Sequence, residues 1–472
     1  MRETLRRNLP ANPGREVARV AVPVSLEFIL ILALNVINQI IVGGLGDTAV
    51  ASVGFALSIL NIPFFVLGAL GSSASILVAR AFGAKREKEL NKVVSVALSA
   101  AFMSGVIVAI PFAIWPSEIF RGVGASEAVV TEGSVFLALA MSSLFLGLLA
   151  QVLSGVLRSA DHARSPMVAT LTTGILQVPL AIALVYGWGP IPALGIAGAA
   201  WAMIITGAIK VIIMTVQTFG VFRIARWEMP GFVREWKSVL GPLLVFAAPL
   251  GLTAGIWSGG QFLYNVITAQ LGDAALAASQ IVGSLEGMFF VGSMGLMNAN
   301  NSLTGRAVGA ANGTLARAWV GYIKRVGLVT AIIFGALYAI SSLGLTIMYP
   351  EVPAIVITYT TVGILINAVL QPIKVRVSLM GASILPSGND LRGVILGDFV
   401  GPFLVGLPLA IVLGLFTPLG IYGIFIARGM EEIVKVFIFT WRGRRLDWDE
   451  IAKKHNMVNP LAAEPAEGLI QQ

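Results

Sequence analysis

The chain has 472 residues, of which 57% are hydrophobic and only 12% charged, and its mean hydropathy is +0.87. Soluble domains carry about 25% charged residues, so the composition excludes a soluble protein and predicts an all-α integral membrane protein. The absence of cysteine excludes disulfides and thiol catalysis, and the two histidines, His162 and His455, argue against a metal site. The net charge of +8 arises from cations beside helix ends rather than from a basic tract, so no nucleic-acid partner is expected.

Twelve apolar stretches are long enough to cross a hydrocarbon core of about 30 Å. In chain order they lie at 16–43, 52–79, 92–115, 127–157, 165–187, 194–222, 240–269, 275–303, 318–348, 354–380, 392–414 and 418–441. We therefore predict an N-lobe at 1–222 with helices 1–6, and a C-lobe at 240–445 with helices 7–12. An amphipathic cytoplasmic linker at 223–239 would join the lobes, and a polar, mobile cytoplasmic tail would occupy 446–472.

The distribution of lysine and arginine orients these helices. If the N-terminus is cytoplasmic, nearly all of the 32 Lys and Arg residues fall in inward segments, and Arg121 is the one cation of the outward loops. This is the pattern of the positive-inside rule. We expect a multi-pass protein of the plasma membrane with both termini in the cytoplasm.

An internal duplication relates the two halves. Residues 21–84 recur at 247–310 without a gap. Because each half has an even number of helices, both halves enter the membrane in the same sense, so we predict pseudo-two-fold symmetry about the membrane normal. Transporters use such duplication to build a central site that opens alternately to each side. The matching segments include Pro23 with Pro249, Leu45–Asp47 with Leu271–Asp273, and Arg80–Ala84 with Arg306–Ala310.

Several of these motifs resemble those of the multidrug and toxic compound extrusion (MATE) family. They are Pro23, GGLGDTAVASVG at 43–54, RAFGAKRE at 80–87, SGVLRSADHARSP at 154–166, and their echoes in the second half. The resemblance implies twelve helices in two six-helix lobes around a central cleft. It also implies export of compounds in exchange for Na+ or H+. The wider superfamily includes lipid-linked oligosaccharide flippases, so the resemblance does not determine the substrate.

One departure from the family pattern affects the coupling ion. Coupled relatives carry an aspartate in helix 1 within V-D-T-x-x-V-x-G-L-G, where this chain has Asn38. The helix 5 pattern N-x-x-x-D becomes Gln177 and Ala181. An amide does not change its charge by taking up a proton and gives Na+ only a neutral oxygen. Either the coupling site has moved, or the protein couples differently; Asn38 stays an ion-coupling candidate, and Asn35, Gln39 and Gln177 are cavity candidates.

Ionisable residues inside a bilayer are costly and usually face the bundle interior. Glu27 in helix 1 lies four residues after Pro23, and its carboxylate could take up a coupling proton or pair with a neighbouring donor. Pro23 and Pro249 remove backbone hydrogen bonds and should let helices 1 and 7 bend. Glu286 in helix 8 is the ion-coupling candidate of the second lobe.

The remaining polar residues of the second lobe allow two interpretations. Gln261, Tyr264 and Asn265 of helix 7 could line a cavity, or the amides could form interhelical hydrogen bonds. Helices 10 to 12 carry further charges, which could form salt bridges and snorkel, or line an inner vestibule that binds an acidic group or relays protons. These charges are Lys374, Arg376, Asp398, Arg428, Glu431, Glu432 and Lys435, and Asp398 is a further ion-coupling candidate.

These features predict a secondary active exporter of amphipathic organic compounds, driven by H+ or Na+ and operating by rocking of two lobes. The alternative is a lipid or lipid-linked saccharide flippase, in which Lys374 and Arg376 would hold phosphate. No nucleophile–base pair and no P-loop are evident, so we expect neither an enzyme nor ATP as the fuel. The expected partners are a small organic substrate and membrane lipid; no cofactor and a monomer are expected.

Overall fold

The computed structural model describes residues 9–122, 127–190, 192–228, 234–350 and 352–457. We number the membrane-spanning helices α1 to α12. The first half contains α1 (Pro13–Gly43), α2 (Asp47–Gly83), α3 (Glu87–Ile114), α4 (Glu127–Ser159), α5 (Arg164–Tyr186) and α6 (Ile196–Val221), with a short helix, Pro116–Gly122, between α3 and α4. All six spans predicted for the N-lobe are therefore present as helices.

The second half repeats this arrangement. It contains α7 (Arg234–Ala269), α8 (Asp273–Gly309), α9 (Gly313–Met348), α10 (Ala354–Ser387), α11 (Leu391–Leu415) and α12 (Ile421–Arg444). Among the described residues, eleven helices are apolar enough to cross a membrane by composition alone. The twelfth, α12, falls short because Arg428, Glu431, Glu432 and Lys435 lie within it.

The linker and the start of the tail contain more helix than predicted from the sequence. α7 begins at Arg234, inside the range 223–239 assigned to the linker, so the connection between the lobes is shorter than expected. Residues 229–233 of the linker lie outside the described part of the chain. The predicted tail starts with a further helix, Trp448–Met457, and its residues 458–472 are not described. Trp448 is buried and its carbonyl lies against Gly313 of α9, so this apolar anchor holds the start of the tail on the C-lobe.

The repeated Leu-Gly-Asp motif has a local structural cause. Gly46 precedes α2 with a φ of +111°, and Gly272 precedes α8 with a φ of +96°. Residues with a Cβ rarely adopt such angles, so glycine is needed where the chain reverses between the first two helices of each half. The same turn therefore starts the second helix of both lobes.

The lobes meet along a pseudo-two-fold axis at the ends of α2 and α8. Gly83 lies against the backbone of Arg306, and Gly309 lies against the backbone of Arg80. These are reciprocal contacts, because Gly83 aligns with Gly309, and Arg80 with Arg306, in the sequence repeat. Such reciprocity is the signature of a two-fold interface. The predicted all-α fold of two related six-helix lobes is confirmed.

Candidate ion-coupling site and lobe contacts

In the N-lobe, Glu27 of α1 is 2% exposed and pairs with two cations. Its Oε2 lies 2.6 Å from Arg158 Nη2, and its Oε1 lies 3.9 Å from Lys210 Nζ. Thr170 Oγ1 of α5 donates a hydrogen bond of 3.4 Å to Oε1. A buried carboxylate is stable only when it is paired in this way. The contacts support the second interpretation given above, in which Glu27 pairs with neighbouring donors.

Arg158 of α4 also connects the two lobes. Its Nη1 donates a hydrogen bond of 3.1 Å to Asn298 Oδ1 of α8, and its carbonyl oxygen accepts one of 3.1 Å from Ser302 Oγ. The sequence places Arg158 among the inward cations and in the motif at 154–166, but it indicates no partner for this residue, so this role was missed. The signal that could have found it is its place in the last turn of α4, where a long side chain can reach back into the lobe.

The amides of α1 and α5 are separate from Glu27. Asn38 and Gln177 are half-buried, whereas Asn35 and Gln39 are exposed. None of the four is among the polar partners of Glu27, whose contacts come from α4, α5 and α6. The structure therefore does not bring Asn38 and Glu27 into one polar cluster.

In the C-lobe, Glu286 of α8 pairs with Lys374 of α10. Their Oε1 and Nζ atoms are 2.5 Å apart, and Lys374 also donates to Asn367 Oδ1 at 2.5 Å. Lys374 is buried, but Arg376 is exposed. Residues two positions apart in an α-helix lie about 200° apart around its axis, so Arg376 faces away from Lys374 and does not join its pair with Glu286.

A second C-lobe cluster is centred on Lys435 of α12. Its Nζ lies 2.8 Å from Glu431, 3.8 Å from Glu432 and 3.9 Å from Asp398 of α11. Lys435 fits here because Gly401 of α11 has no side chain; a Cβ there would lie 2.7 Å from Lys435 Cγ. Three carboxylates thus share one ammonium group, so these four charges of helices 11 and 12 are salt-bridged, as one interpretation proposed.

Tyr264 of α7 extends this cluster to a third helix. Its hydroxyl donates a hydrogen bond of 2.7 Å to Glu431 Oε2, and Arg428 lies 5.3 Å over its ring. Arg428 Nη2 donates to Gln261 Oε1 at 2.7 Å. A π-helical turn of α11, Val400–Gly406, places Gly406 directly against the Tyr264 hydroxyl, where a side chain would block the bond. Such turns frequently occur at functional sites.

The other helix 7 amide bonds to a different neighbour. Asn265 is exposed and its Oδ1 accepts a hydrogen bond of 3.4 Å from Gln280 of α8. Both Gln261 and Asn265 therefore form interhelical bonds, which agrees with the interpretation favoured for membrane amides. Of the helix 7 candidates, Tyr264 is the one that contacts a carboxylate.

The two prolines lie within helices that pack against the opposite lobe. Pro23 is inside α1 and Pro249 is inside α7, and each removes one backbone N–H. Next to them, Ser25 Oγ donates to the carbonyl of Val291 at 3.3 Å, and Gly251 lies against the carbonyl of Val66. The proline sites therefore coincide with close lobe-to-lobe contacts; bending there stays a prediction.

Comparison with known proteins decides the family. The MatE family model matches residues 23–183 and 249–386, one segment in each lobe. The chain is a member of the MATE family. Curated relatives include a probable multidrug resistance protein NorM of Rhodopseudomonas palustris, 25% identical over 456 residues covering 93% of both chains. The uncharacterized transporter YisQ of Bacillus subtilis is 21% identical over 441 residues, covering 93% of this chain and 96% of YisQ.

Solved structures show the same fold. A MATE protein in an outward-facing conformation superposes with a TM-score of 0.83 at 19% identity, covering 93% of this chain and 96% of that one. A MATE protein in a bent conformation gives 0.84 at 19% identity, covering 96% of this chain and 98% of that one. MATE proteins are transporters, so the predictions of a membrane transporter and of no enzyme are confirmed. The protein is a multi-pass transporter of the plasma membrane.

In this MATE transporter polar contacts join the two lobes at the end that carries the basic loops. Arg80 is buried, and its Nη2 donates to the carbonyl of Ser387 and to Asn389 Oδ1, both at 2.8 Å. Its repeat equivalent Arg306 forms an ion pair of 3.3 Å with Asp161 of the α4–α5 loop. Each arginine therefore binds the corresponding loop of the opposite lobe.

Proposed function

We propose that this chain exports amphipathic organic molecules by rocking of its two lobes, in exchange for H+ or Na+. The observation that carries the proposal is the Lys435 cluster, in which Asp398, Glu431 and Glu432 lie within 3.9 Å of a single ammonium group. Carboxylates gathered around one ammonium group repel one another, and burial strengthens this repulsion. Uptake of a cation relieves it, so the coupling ion binds in the C-lobe.

The contacts of this cluster give it a route to the lobe interface. Glu431 is bonded to Tyr264 of α7, a helix that also contacts the N-lobe at Val66 through Gly251. Neutralising Glu431 weakens its bond to Tyr264, since hydrogen bonds to charged groups are about twice as strong as neutral ones. The charge of the cluster is thereby linked to the position of α7, the helix expected to bend at Pro249.

The contacts at the basic end support alternating access. Arg80, Arg158 and Arg306 all bind residues of the opposite lobe at this end. We place this end in the cytoplasm, with both termini, because basic loops face inward. In this state the cytoplasmic side is closed, and rocking must break these bonds to open it.

The substrate class follows from the apolar cleft between the lobes. A cavity of about 630 Å³ is lined by Leu67 and Leu70 of α2, Ala100 of α3, and Leu252 and Ile256 of α7. An apolar cavity of this size fits a drug-sized ligand. Relatives described as multidrug resistance proteins also favour export of drugs over the flippase alternative.

The proposal is tested with purified protein in liposomes, with either a pH or a Na+ gradient imposed and a cationic dye as substrate. We expect transport driven by one gradient, and its loss in Asp398→Asn and Glu431→Gln. The matched control is Glu127→Gln, an exposed carboxylate outside the cluster, which should transport normally. Gradient-independent movement of the dye, or flipping of fluorescent lipid, contradicts the proposal.

A further inference from the structure

A large groove lined by N-lobe residues lies at the basic end of the N-lobe. It encloses about 1020 Å³ and is formed by the start of α1, the α4–α5 loop, the start of α5 and the end of α6. It is distinct from the apolar cleft and from the Lys435 cluster. Its lining includes Arg15, Arg19, Val22, Leu26, Arg164 and Met167.

The groove is polar at one end and apolar at the other. Arg15, Arg19, Val22 and Leu26 follow one another at i, i+4, i+7 and i+11, so they form one stripe along α1. All four are exposed. The helix rises 1.5 Å per residue, so the stripe extends about 16 Å from its first arginine toward the membrane centre. The groove mouth, formed by the arginines, thus continues into an apolar part lined by Val22 and Leu26.

The arginines at the mouth are not equally engaged. Arg19 pairs with Asp161 at 3.1 Å, and Asp161 is also bound by Arg306 at 3.3 Å. In the part of the chain that the structure describes, Arg15 and Arg164 form no salt bridge and are exposed on either side of the groove. Two guanidinium groups are therefore available to one anionic ligand at the groove mouth.

We propose that the groove binds one anionic phospholipid of the leaflet at the basic end. Its phosphate lies between Arg15 and Arg164, and an acyl chain follows Val22 and Leu26. Basic pockets between membrane helices bind anionic head groups in this way. The groove lining carries three arginines, Arg15, Arg19 and Arg164, against two carboxylates, Glu16 and Asp161, so its net positive charge favours an anionic occupant over a cationic substrate.

The position of the groove gives this lipid a role in helix bending. Pro23 forms part of the groove wall, between Val22 and the buried Glu27. A lipid seated along this stretch contacts α1 on both sides of its proline. If α1 bends at Pro23, a lipid with different affinities for the straight and the bent helix would shift the balance between them.

The test uses the absence of cysteine in the chain, which makes a single introduced thiol unique. Val22→Cys is labelled with a small fluorophore and placed in nanodiscs of phosphatidylcholine that contain either brominated phosphatidylglycerol or brominated phosphatidylcholine. We expect stronger quenching by the brominated anionic lipid. Arg15→Gln and Arg164→Gln should each lower this preference about fivefold, and together about 30-fold.

The control places the same label at Val245→Cys on α7, which is also exposed near the basic end but lies outside the groove. Its quenching should not distinguish the two lipids. Equal quenching at Val22→Cys by both lipids overturns the proposal, as does an unchanged preference in the double arginine variant. If added inorganic phosphate abolishes the stronger quenching by the anionic lipid at matched ionic strength, the two arginines bind free phosphate instead, and the proposal is overturned.

Discussion

The two lobes have the same helix order but distribute buried charge in opposite ways. The N-lobe holds one carboxylate, Glu27, between two cations, whereas the C-lobe holds three carboxylates around Lys435. In the sequence repeat, Tyr264 aligns with Asn38, and Glu286 with Leu60. The duplication thus preserved the turns and the lobe contacts, whereas the polar interiors diverged. In the proposed mechanism the cation-rich lobe serves as the anchor and the carboxylate-rich lobe takes up the coupling ion.

The largest effect is expected from Lys435→Met, which leaves three carboxylates without their common cation. Removing one partner of a buried pair costs about 3–5 kcal/mol. We expect this loss in the free energy of unfolding, together with loss of transport, measured by thermal unfolding in detergent and by dye efflux. Adding Glu431→Gln should restore part of the stability. A variant as stable as the parent would show that the C-lobe cluster is not the charged centre described here.

The matching change in the N-lobe is Arg158→Gln. It should destabilise by about 2–3 kcal/mol, less than Lys435→Met, because Lys210 still lies near Glu27. Combined with Lys210→Met, the loss should exceed the sum of the two single variants. Strict additivity in this double-mutant cycle would show that the two cations do not share Glu27.

Tyr264→Phe tests whether the repeat positions have diverged in function. It removes a hydrogen bond to a charged carboxylate and should cost about 1.5 kcal/mol of unfolding free energy. Its repeat equivalent, half-buried Asn38, is the control, and Asn38→Ala should change stability by no more than about 0.5 kcal/mol. Equal losses at both positions would mean that the two lobes use them alike.

A smaller difference is expected between the two arginines of the lobe interface. Arg80→Gln removes two hydrogen bonds to the opposite lobe, one buried and one partly buried, whereas Arg306→Gln removes one partly exposed ion pair. Arg80→Gln should shift the equilibrium toward opening at the basic end about fivefold, and Arg306→Gln less. Spin-label distances across this end measure the shift, and a larger effect of Arg306→Gln would contradict the assignment.

The smallest effect is expected from Arg121→Gln, outside both buried clusters. A hydrogen bond from Arg121 and the charge of Arg121 hold the pKa of Glu127, an exposed carboxyl, below its ordinary value. A carboxyl pKa lowered by folding stabilises the protein above its unfolded-state pKa, and the contribution is lost as pH falls through the folded-state value. The melting temperature should therefore change little at neutral pH, and any difference should vanish in acid. A large neutral-pH effect would show that exposed pairs rival the buried clusters.

The sequence was sufficient for the helices and their symmetry, because hydropathy, the Leu-Gly-Asp turns and Pro23 with Pro249 are local signals. It was not sufficient for side-chain partners. The contact of Arg158 with Glu27 and Asn298 joins three helices that are distant in sequence, and only packing brings them together. That Arg376 and Lys374 face different sides of α10 could have been predicted, since helical geometry separates residues two positions apart. The placement of Tyr264 against Glu431 depends on a π-helical turn that the sequence did not reveal.

Gly83 and Gly309 are two equivalent positions at which the backbones of the two lobes touch without room for a side chain. A single methyl group at either one acts as a wedge that pushes the halves apart, and the symmetry makes both wedges equivalent. The contact between the lobes can therefore be altered from two distant codons, neither of which encodes a residue of the apolar cleft or of the Lys435 cluster.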